Sequence, residues 1–341
     1  MHMADALISP AVGGTMWLAT AGLIGYCSKK TKEDIDDSKI PLMGVIGAFI
    51  FAAQMINFTI PATGSSGHLG GGMILAILLG PYAGFLTMAS VLTVQALFFA
   101  DGGLLALGCN IFNLGFFPCL VAYPFIYKKI VKDWHSQKMI MVGATVAAIA
   151  GLQLGAFGVV LETLFSGISE LPFGTFVLLV QPIHLAIGIV EGLVTSAVVI
   201  FVWKSRPELL QSSVSSQADK GYSVKRVLIG FAAATLIIGC TMSWFASAHP
   251  DGLEWAMFRT AGVEELESPE KGIHSSLATI QEKTAFLPDY GFKSGESNHS
   301  EETTQTWPAV NPGTSMSGFV GGILTLCLAA FIGFIIKRRK S

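Results

Sequence analysis

Charged side chains are scarce in this 341-residue sequence: Asp, Glu, Lys and Arg make up 13% of it, about half the roughly 25% of a soluble domain. A water-facing surface cannot be covered at that density. With 52% hydrophobic residues, the bilayer is the solvent to expect. Excess basic charge is also missing. Twenty-one Lys and Arg against 23 Asp and Glu leave a net charge of −2, which excludes the polycationic face that nucleic acid needs. The five cysteines, Cys27, Cys109, Cys119, Cys240 and Cys327, are odd in number and contain no Cys-x-x-Cys pair. That excludes a disulfide frame and a thiolate metal site, and leaves small apolar packing residues. No G-x-x-x-x-G-K-[ST] phosphate loop occurs, so the chain does not hydrolyse ATP in the usual way. The absence of H-E-x-x-H and G-x-S-x-G argues against an intramembrane hydrolase.

What is there is a series of apolar runs. A span needs about 20 apolar residues at about 1.5 Å each, and candidates lie at 11–27, 40–59, 70–80, 82–99, 104–127, 138–160, 174–203, 224–247 and 318–336. The run 70–80 is short and is divided from the next by Gly80-Pro81. Lys29, Lys30, Lys32 and Lys39 follow the first run, and Lys128, Lys129, Lys132 and Lys138 the fifth. Lys204, Arg206, Lys220, Lys225 and Arg226 follow the seventh, and Lys337, Arg338, Arg339 and Lys340 end the chain. The positive-inside rule makes these four segments cytoplasmic. The alternation then requires 70–80 to count as a membrane element. The expectation is an all-α polytopic bundle of about nine elements, seven in a first module and two in a second, with the N-terminus outside and the C-terminus cytoplasmic.

Two polar segments organise the chain. Residues 204–223 read as a cytoplasmic linker between a module at 1–203 and one at 224–341. Residues 248–317 hold eleven acidic against four basic side chains, which predicts a flexible, acidic outside loop tethering the last two spans. The opening MHMADALISP lacks a basic n-region, so the expected start is Met1.

Two of the seven histidines are expected at one entrance. His2 adjoins an outside N-terminus, and His68 lies in the outside loop 60–69, with glycines at 64, 67 and 70–72 around it. The Met1 amine and the His2 amide nitrogen close a five-membered ring on a metal, and the amide with His2 Nδ1 closes a six-membered one. Three such nitrogens favour the square-planar ions Ni(II) and Cu(II), and His68 could supply the fourth corner. Tetrahedral zinc and oxygen-seeking calcium or magnesium fit less well. Ligand nitrogens must lose protons to bind, so affinity should fall as pH drops through the imidazole range near ~6.5.

Intramembrane polar residues form a second set: Gln54, Asn57, Gln95, Asn110, Asn113, Gln153, Gln181, His184 and Glu191. Asn57, Asn110, Asn113, His184 and Glu191 are candidates for a supporting shell or a pathway, the alternative being hydrogen bonds that hold helices together. His135, His249, His274 and His299 are expected to be solvated.

The opening Met1-His2-Met3-Ala4-Asp5-Ala6-Leu7, the run Gln54-Met55-Ile56-Asn57-Phe58, Gly64 to Gly72 with His68, Asn110-x-x-Asn113, and His184 to Glu191 together resemble the NikM/CbiM substrate-binding subunits of energy-coupling-factor transporters for nickel and cobalt. That resemblance covers about 1–203. His249-Pro250-Asp251-Gly252-Leu253-Glu254 resembles the PDGLE segment of the NikN-type accessory subunit, over about 224–336. Ala4 and Ala6 stand where the commoner family opening has Pro and Gly. The resemblance implies a multi-pass cell-membrane component that is not an enzyme and has no resident cofactor. Its transported ligand would be Ni(II) or Co(II), held by Met1, His2 and His68. Its partners would be a transmembrane coupling (T) subunit and ATPase subunits. Two other classes remain open from the residues: a gradient-driven metal transporter or channel, and a membrane enzyme using His184 and Glu191.

Overall fold

The computed structural model describes residues 2–132, 136–169, 171–205, 225–264, 266–269, 271–293 and 307–339. Met1, His135, His299 and nearly all of the linker 204–223 lie outside the described residues. The fold is mostly helical. Its elements are α1 (Pro10–Asp34), α2 (Lys39–Gln54), β1 (Phe58–Ile60), β2 (Ser65–Gly67), α3 (Gly72–Leu79), α4 (Pro81–Phe99), α5 (Leu107–Ile130), α6 (Gln137–Ser166), α7 (Phe173–Ser205), α8 (Lys225–Cys240), α9 (Gly252–Ala261), α10 (Ile273–Thr284) and α11 (Pro312–Arg338). Helix starts carry expected caps: Ser9 precedes Pro10 and accepts from the Val12 N–H, and Asn311 precedes Pro312 and accepts from Gly313. Pro118 and Pro124 lie inside α5, where residues 112–127 widen into π-type turns. A proline has no N–H to complete the ordinary ladder.

Among the described residues five helices are long and apolar enough to cross a membrane: α4, α5, α6, α7 and α11, with α2 shorter but apolar. Large apolar side chains on their outer faces are exposed, among them Leu178, Phe201 and Phe331, as lipid-facing surfaces require. Several expected spans are altered. The run 40–59 stops being helical at Gln54, and its end becomes β1 of a small hairpin. The run 224–247 is helical only to Cys240, followed by a short turn at Met242–Phe245. Residues 70–80 form the eight-residue α3, about 12 Å long, too short to cross alone.

Helices from before and after the segment 204–223 share one bundle. α11 packs along α2, α8 packs on both, and α6 runs against α7. Gln153 and Gln181 tie α6 to α7, each amide nitrogen donating to the other's backbone carbonyl at 2.8 and 3.3 Å. These amides hold helices together, as the alternative reading of the intramembrane polar set had it. At the α8–α11 crossing the backbones nearly touch, because a Cβ at Gly318 would lie 2.2 Å from the Gly239 carbonyl oxygen. Gly318→Ala should therefore destabilise the docking of the second module by about 1–3 kcal/mol. At Gly322 the nearest atom to such a Cβ is 3.4 Å away, so Gly322→Ala should be nearly silent. Thermal unfolding in detergent compares the two, and equal melting temperatures would contradict the crossing.

Candidate metal centre

The first residues of the chain turn back into the bundle. Met3 N–H donates to Asn110 Oδ1 at 2.8 Å, and Asn110 Nδ2 donates back to the Met3 carbonyl at 3.2 Å. Gly103 N–H reaches the same carbonyl at 2.9 Å. Asp5, in a 3₁₀ turn at Asp5–Leu7, accepts the Ala106 N–H at 2.9 Å. A Cβ at Gly103 would lie 1.9 Å from Asp5 Oδ1, so only glycine allows this approach. Ala4 and Ala6 fit that path without strain, and Met3, Leu7 and Ile8 are buried. Residue 2 is thus held from both sides of Met3 by a side chain on α5.

His68 is placed by a separate device. The antiparallel β1–β2 pair, with Phe58 opposite Gly67 and Ile60 opposite Ser65, ends one residue before it. Behind it Gln54 Nε2 donates to the Gly70 carbonyl at 2.8 Å. Glu191 accepts the Gly70 N–H at 2.7 Å and the Gly71 N–H at 3.2 Å. His68 Nδ1 lies 3.1 Å from the Leu69 carbonyl. A carbonyl only accepts, so Nδ1 carries the proton and the lone pair belongs to Nε2. Burial pushes the His68 imidazole down to about 3, which keeps it neutral through physiological pH.

The two imidazoles meet. The His2 and His68 ring centroids are 5.1 Å apart and their planes differ by 4°. Imidazoles on one four-coordinate ion, with bonds of about 2 Å, have centroids about 4.5 Å apart when adjacent and about 6.5 Å when opposite. The observed spacing lies between the two values and matches neither, and the rings are stacked, so ligation of one planar ion by both rings requires at least one of them to turn. His2 Nδ1 lies 3.0 Å from Asp101 Oδ1, and His2 Nε2 is buried without a hydrogen-bond partner. Binding through His2 Nδ1 thus requires the ring to exchange Asp101 for the ion. Among the described residues no group of three His, Cys, Asp or Glu side chains could hold a metal. A four-nitrogen site would have to draw its remaining donors from backbone and terminus.

Asp101 is the only acidic residue between Asp37 and Asp133, a signal the sequence reading did not use. Burial alone would raise its carboxyl, yet His2 and the Tyr290 hydroxyl hold it well below the usual carboxylate range. Tyr290 donates to Asp101, and Gln95 Nε2 donates to Tyr290 at 3.2 Å. Tyr290 belongs to the second module. The segment 248–293 is not a loose tether: it carries α9, α10 and the turn Pro288–Tyr290, laid across the histidine pair. Ser66 N–H donates to the Pro250 carbonyl at 2.8 Å, Ser66 Oγ to the His249 carbonyl at 2.7 Å, and Ser247 N–H to the Asn57 carbonyl at 2.7 Å. Asp251 caps α9 in a capping box with Glu254. Gln281 bridges the Ala96 and Gly102 carbonyls at 2.9 and 2.8 Å. His274, expected to be solvated, is buried with Nε2 2.9 Å from the Ile8 carbonyl.

The remaining candidates separate. Asn113 donates to Glu162 at 2.7 Å and joins α5 to α6 away from the histidine pair. His184 is 1% exposed, its Nδ1 2.7 Å from the Val180 carbonyl. Its Nε2 has no partner and borders a void of about 10 Å³ that His68 and Asp251 also line, room for about one water. Among the described residues no hydrogen bond links His184 to Glu191, whose carboxylate is taken up by Gly70 and Gly71, so the proposed catalytic dyad is not assembled. Because Tyr290 braces Asp101, Tyr290→Phe should weaken nickel affinity about threefold to tenfold without loss of fold. Titration calorimetry on the full chain checks this, and an unchanged constant would leave Tyr290 a packing residue.

Comparison with known proteins follows the same division. The profile of the family described as "Cobalt uptake substrate-specific transmembrane region" matches residues 2–209, and that of the PDGLE domain matches residues 225–338. The chain is 31% identical over 348 residues to a protein of Archaeoglobus fulgidus provisionally named fused nickel transport protein NikMN, covering 99% of this chain and 98% of that one. It is 28% identical over 277 residues to the cobalt transport protein CbiM of Geobacter sulfurreducens, covering 78% and 75%. A crystal structure of a truncated transition metal transporter superposes with a TM-score of 0.54 at 28% identity, covering 60% of this chain and 99% of the other.

Proposed function

The chain belongs to the cobalt-uptake substrate-specific transmembrane family and carries a PDGLE domain behind that region, and on this premise we propose that it captures Ni(II) outside the cell as the substrate-specific component of an energy-coupling-factor importer. As a nickel/cobalt transport component it needs a place to hold a bare divalent ion. The observation that carries the reading is the His2–His68 pair at 5.1 Å, each member fixed by its own set of backbone bonds. The ion is the cargo. Its ligands in this reading are the Met1 amine, the His2 amide and imidazole, and His68 Nε2. Asn110 and Glu191 position the two histidine segments. A nitrogen-rich planar set favours Ni(II) over Co(II).

The module at 1–203 binds the ion and the module at 224–341 covers it, with the 204–223 linker between them. Nine membrane elements, the N-terminus outside and the basic C-terminus cytoplasmic, complete the proposal; the distribution of Lys and Arg supports it. Power comes from a separate coupling subunit and ATPase subunits, in keeping with the missing phosphate loop. The test is uptake of radioactive nickel by proteoliposomes holding this chain alone, or with those subunits and ATP. Uptake only in the complete, ATP-supplied vesicles is expected. Gradient-driven uptake by the chain alone would replace the importer reading with a secondary transporter.

A further inference from the structure

At the end of the bundle away from the histidines, α1, α4 and α11 leave a groove of about 660 Å³. Its walls are apolar, formed by Ile24, Leu86, Ala89, Leu328, Ile332 and Ile336. Ser90 and Thr93 also border it, but their hydroxyls donate to the Leu86 and Ala89 carbonyls of their own helix at 2.9 and 2.7 Å. Ser28 is the remaining hydroxyl on its wall. At one mouth stand Lys29, Lys32 and Arg339. None of the three has an ion-pair partner among the described residues, whereas the neighbouring Lys30 and Lys337 are paired with Glu33 and Asp37. The groove is therefore an apolar trough whose three basic mouth residues form no ion pair among the described residues.

We propose that this groove seats one anionic phospholipid, one of its two acyl chains lying in the groove along α11 and its phosphate between Lys29, Lys32 and Arg339. Dimensions support a lipid. From Leu328 to Arg339 is about 16 Å along a helix, close to one leaflet's half of the ~30 Å hydrocarbon core. Charge supports an anionic headgroup, because basic pockets between membrane helices attract anionic lipids. The groove is also a seam: α1 and α4 precede the 204–223 segment and α11 follows it, so a bound lipid would bridge α1 and α11, which pack little against each other directly. This goes beyond the transport reading and does not depend on metal binding.

Native mass spectrometry of the full chain, titrated in detergent with phosphatidylglycerol or phosphatidylcholine of identical chains, tests the proposal. The expected result is one tightly retained phosphatidylglycerol, preferred on the order of tenfold over phosphatidylcholine. The triple variant Lys29→Gln, Lys32→Gln, Arg339→Gln should lose that preference. Gly25→Leu places a side chain where the glycine has open space, at the groove wall, and should reduce retention of both lipids. Lys32 is about 33 Å along α1 from Pro10, so nickel affinity should be unchanged in every variant and serves as the check on folding. If the wild type bound no nickel, the transport reading would fail while the lipid preference stayed measurable. Equal retention of the two lipids by the wild type, or an undiminished preference in the triple variant, overturns the proposal. So does cross-linking of Thr93→Cys to a coupling-subunit helix with no lipid retained.

Discussion

Nickel affinity is expected to fall by at least a hundredfold when even a few residues are added before Met1, or when its amine is acetylated. Either change turns a basic nitrogen donor into an amide and breaks the five-membered chelate ring. The fold tolerates little displacement there, because Met3 is pinned by Asn110 and Gly103 at 2.8 to 3.2 Å. A tag after Ser341 should change nothing. His68→Ala should match the extension in size, with expression and membrane insertion retained, since the hairpin and the Gly70–Glu191 bonds do not depend on the imidazole. Isothermal titration with nickel on the three proteins decides the matter. Wild-type affinity in the N-terminally extended chain would remove Met1 from the site; wild-type affinity in His68→Ala would remove the fourth ligand.

Loss of Glu191 should weaken nickel binding about 10- to 100-fold although this carboxylate touches no ligand ring. It is 2% exposed and accepts the Gly70 and Gly71 N–H groups. Glu191→Ala would strand two buried donors, at a cost of about 1–3 kcal/mol each. The segment behind His68 would loosen, and such outer-shell changes typically cost the 10- to 100-fold range. Glu191→Gln keeps one acceptor and should lose less. A double-mutant cycle gives the discriminating readout: once His68 is alanine, removing Glu191 should cost no further affinity. Asn113→Leu breaks the α5–α6 bond to Glu162 and should lower the melting temperature while leaving affinity nearly intact. If Glu191→Ala lowered stability alone, its role would be the same as that of Asn113.

Much of the site is legible as chemistry and hidden as geometry. Met1-His2 and His68 stand out because few side chains can hold a bare ion in a chain so poor in charge. Asn110 and Glu191 stand out because an amide or carboxylate inside a membrane needs a partner. Which partner each has is not in the spacing. Asn110 and Asn113 look equivalent at i, i+3, yet Asn110 faces the backbone of Met3 and Asn113 faces Glu162. His184 and Glu191 share a helix face, yet one back-bonds to Val180 and the other holds glycine amides. Tyr290 and Gln281 are 189 and 179 residues from Asp101 and Gly102, the groups they brace, and a local pattern carries no information over that separation.

By itself the sequence determined the solvent, the helical class and the metal-seeking residue types, because hydropathy, loop charge and ligand chemistry are properties of composition and short spacing. Tertiary structure alone decided that 40–59 ends in a hairpin, where turning the chain after Gln54 delivers His68 beside His2. It also decided that the acidic segment after Ser247 folds back onto the hairpin and the end of α4. A stretch rich in charge reads as solvated, and only the presence of unpaired backbone groups on the first module, at Ser66, Asn57, Ala96 and Gly102, gives it something to bond.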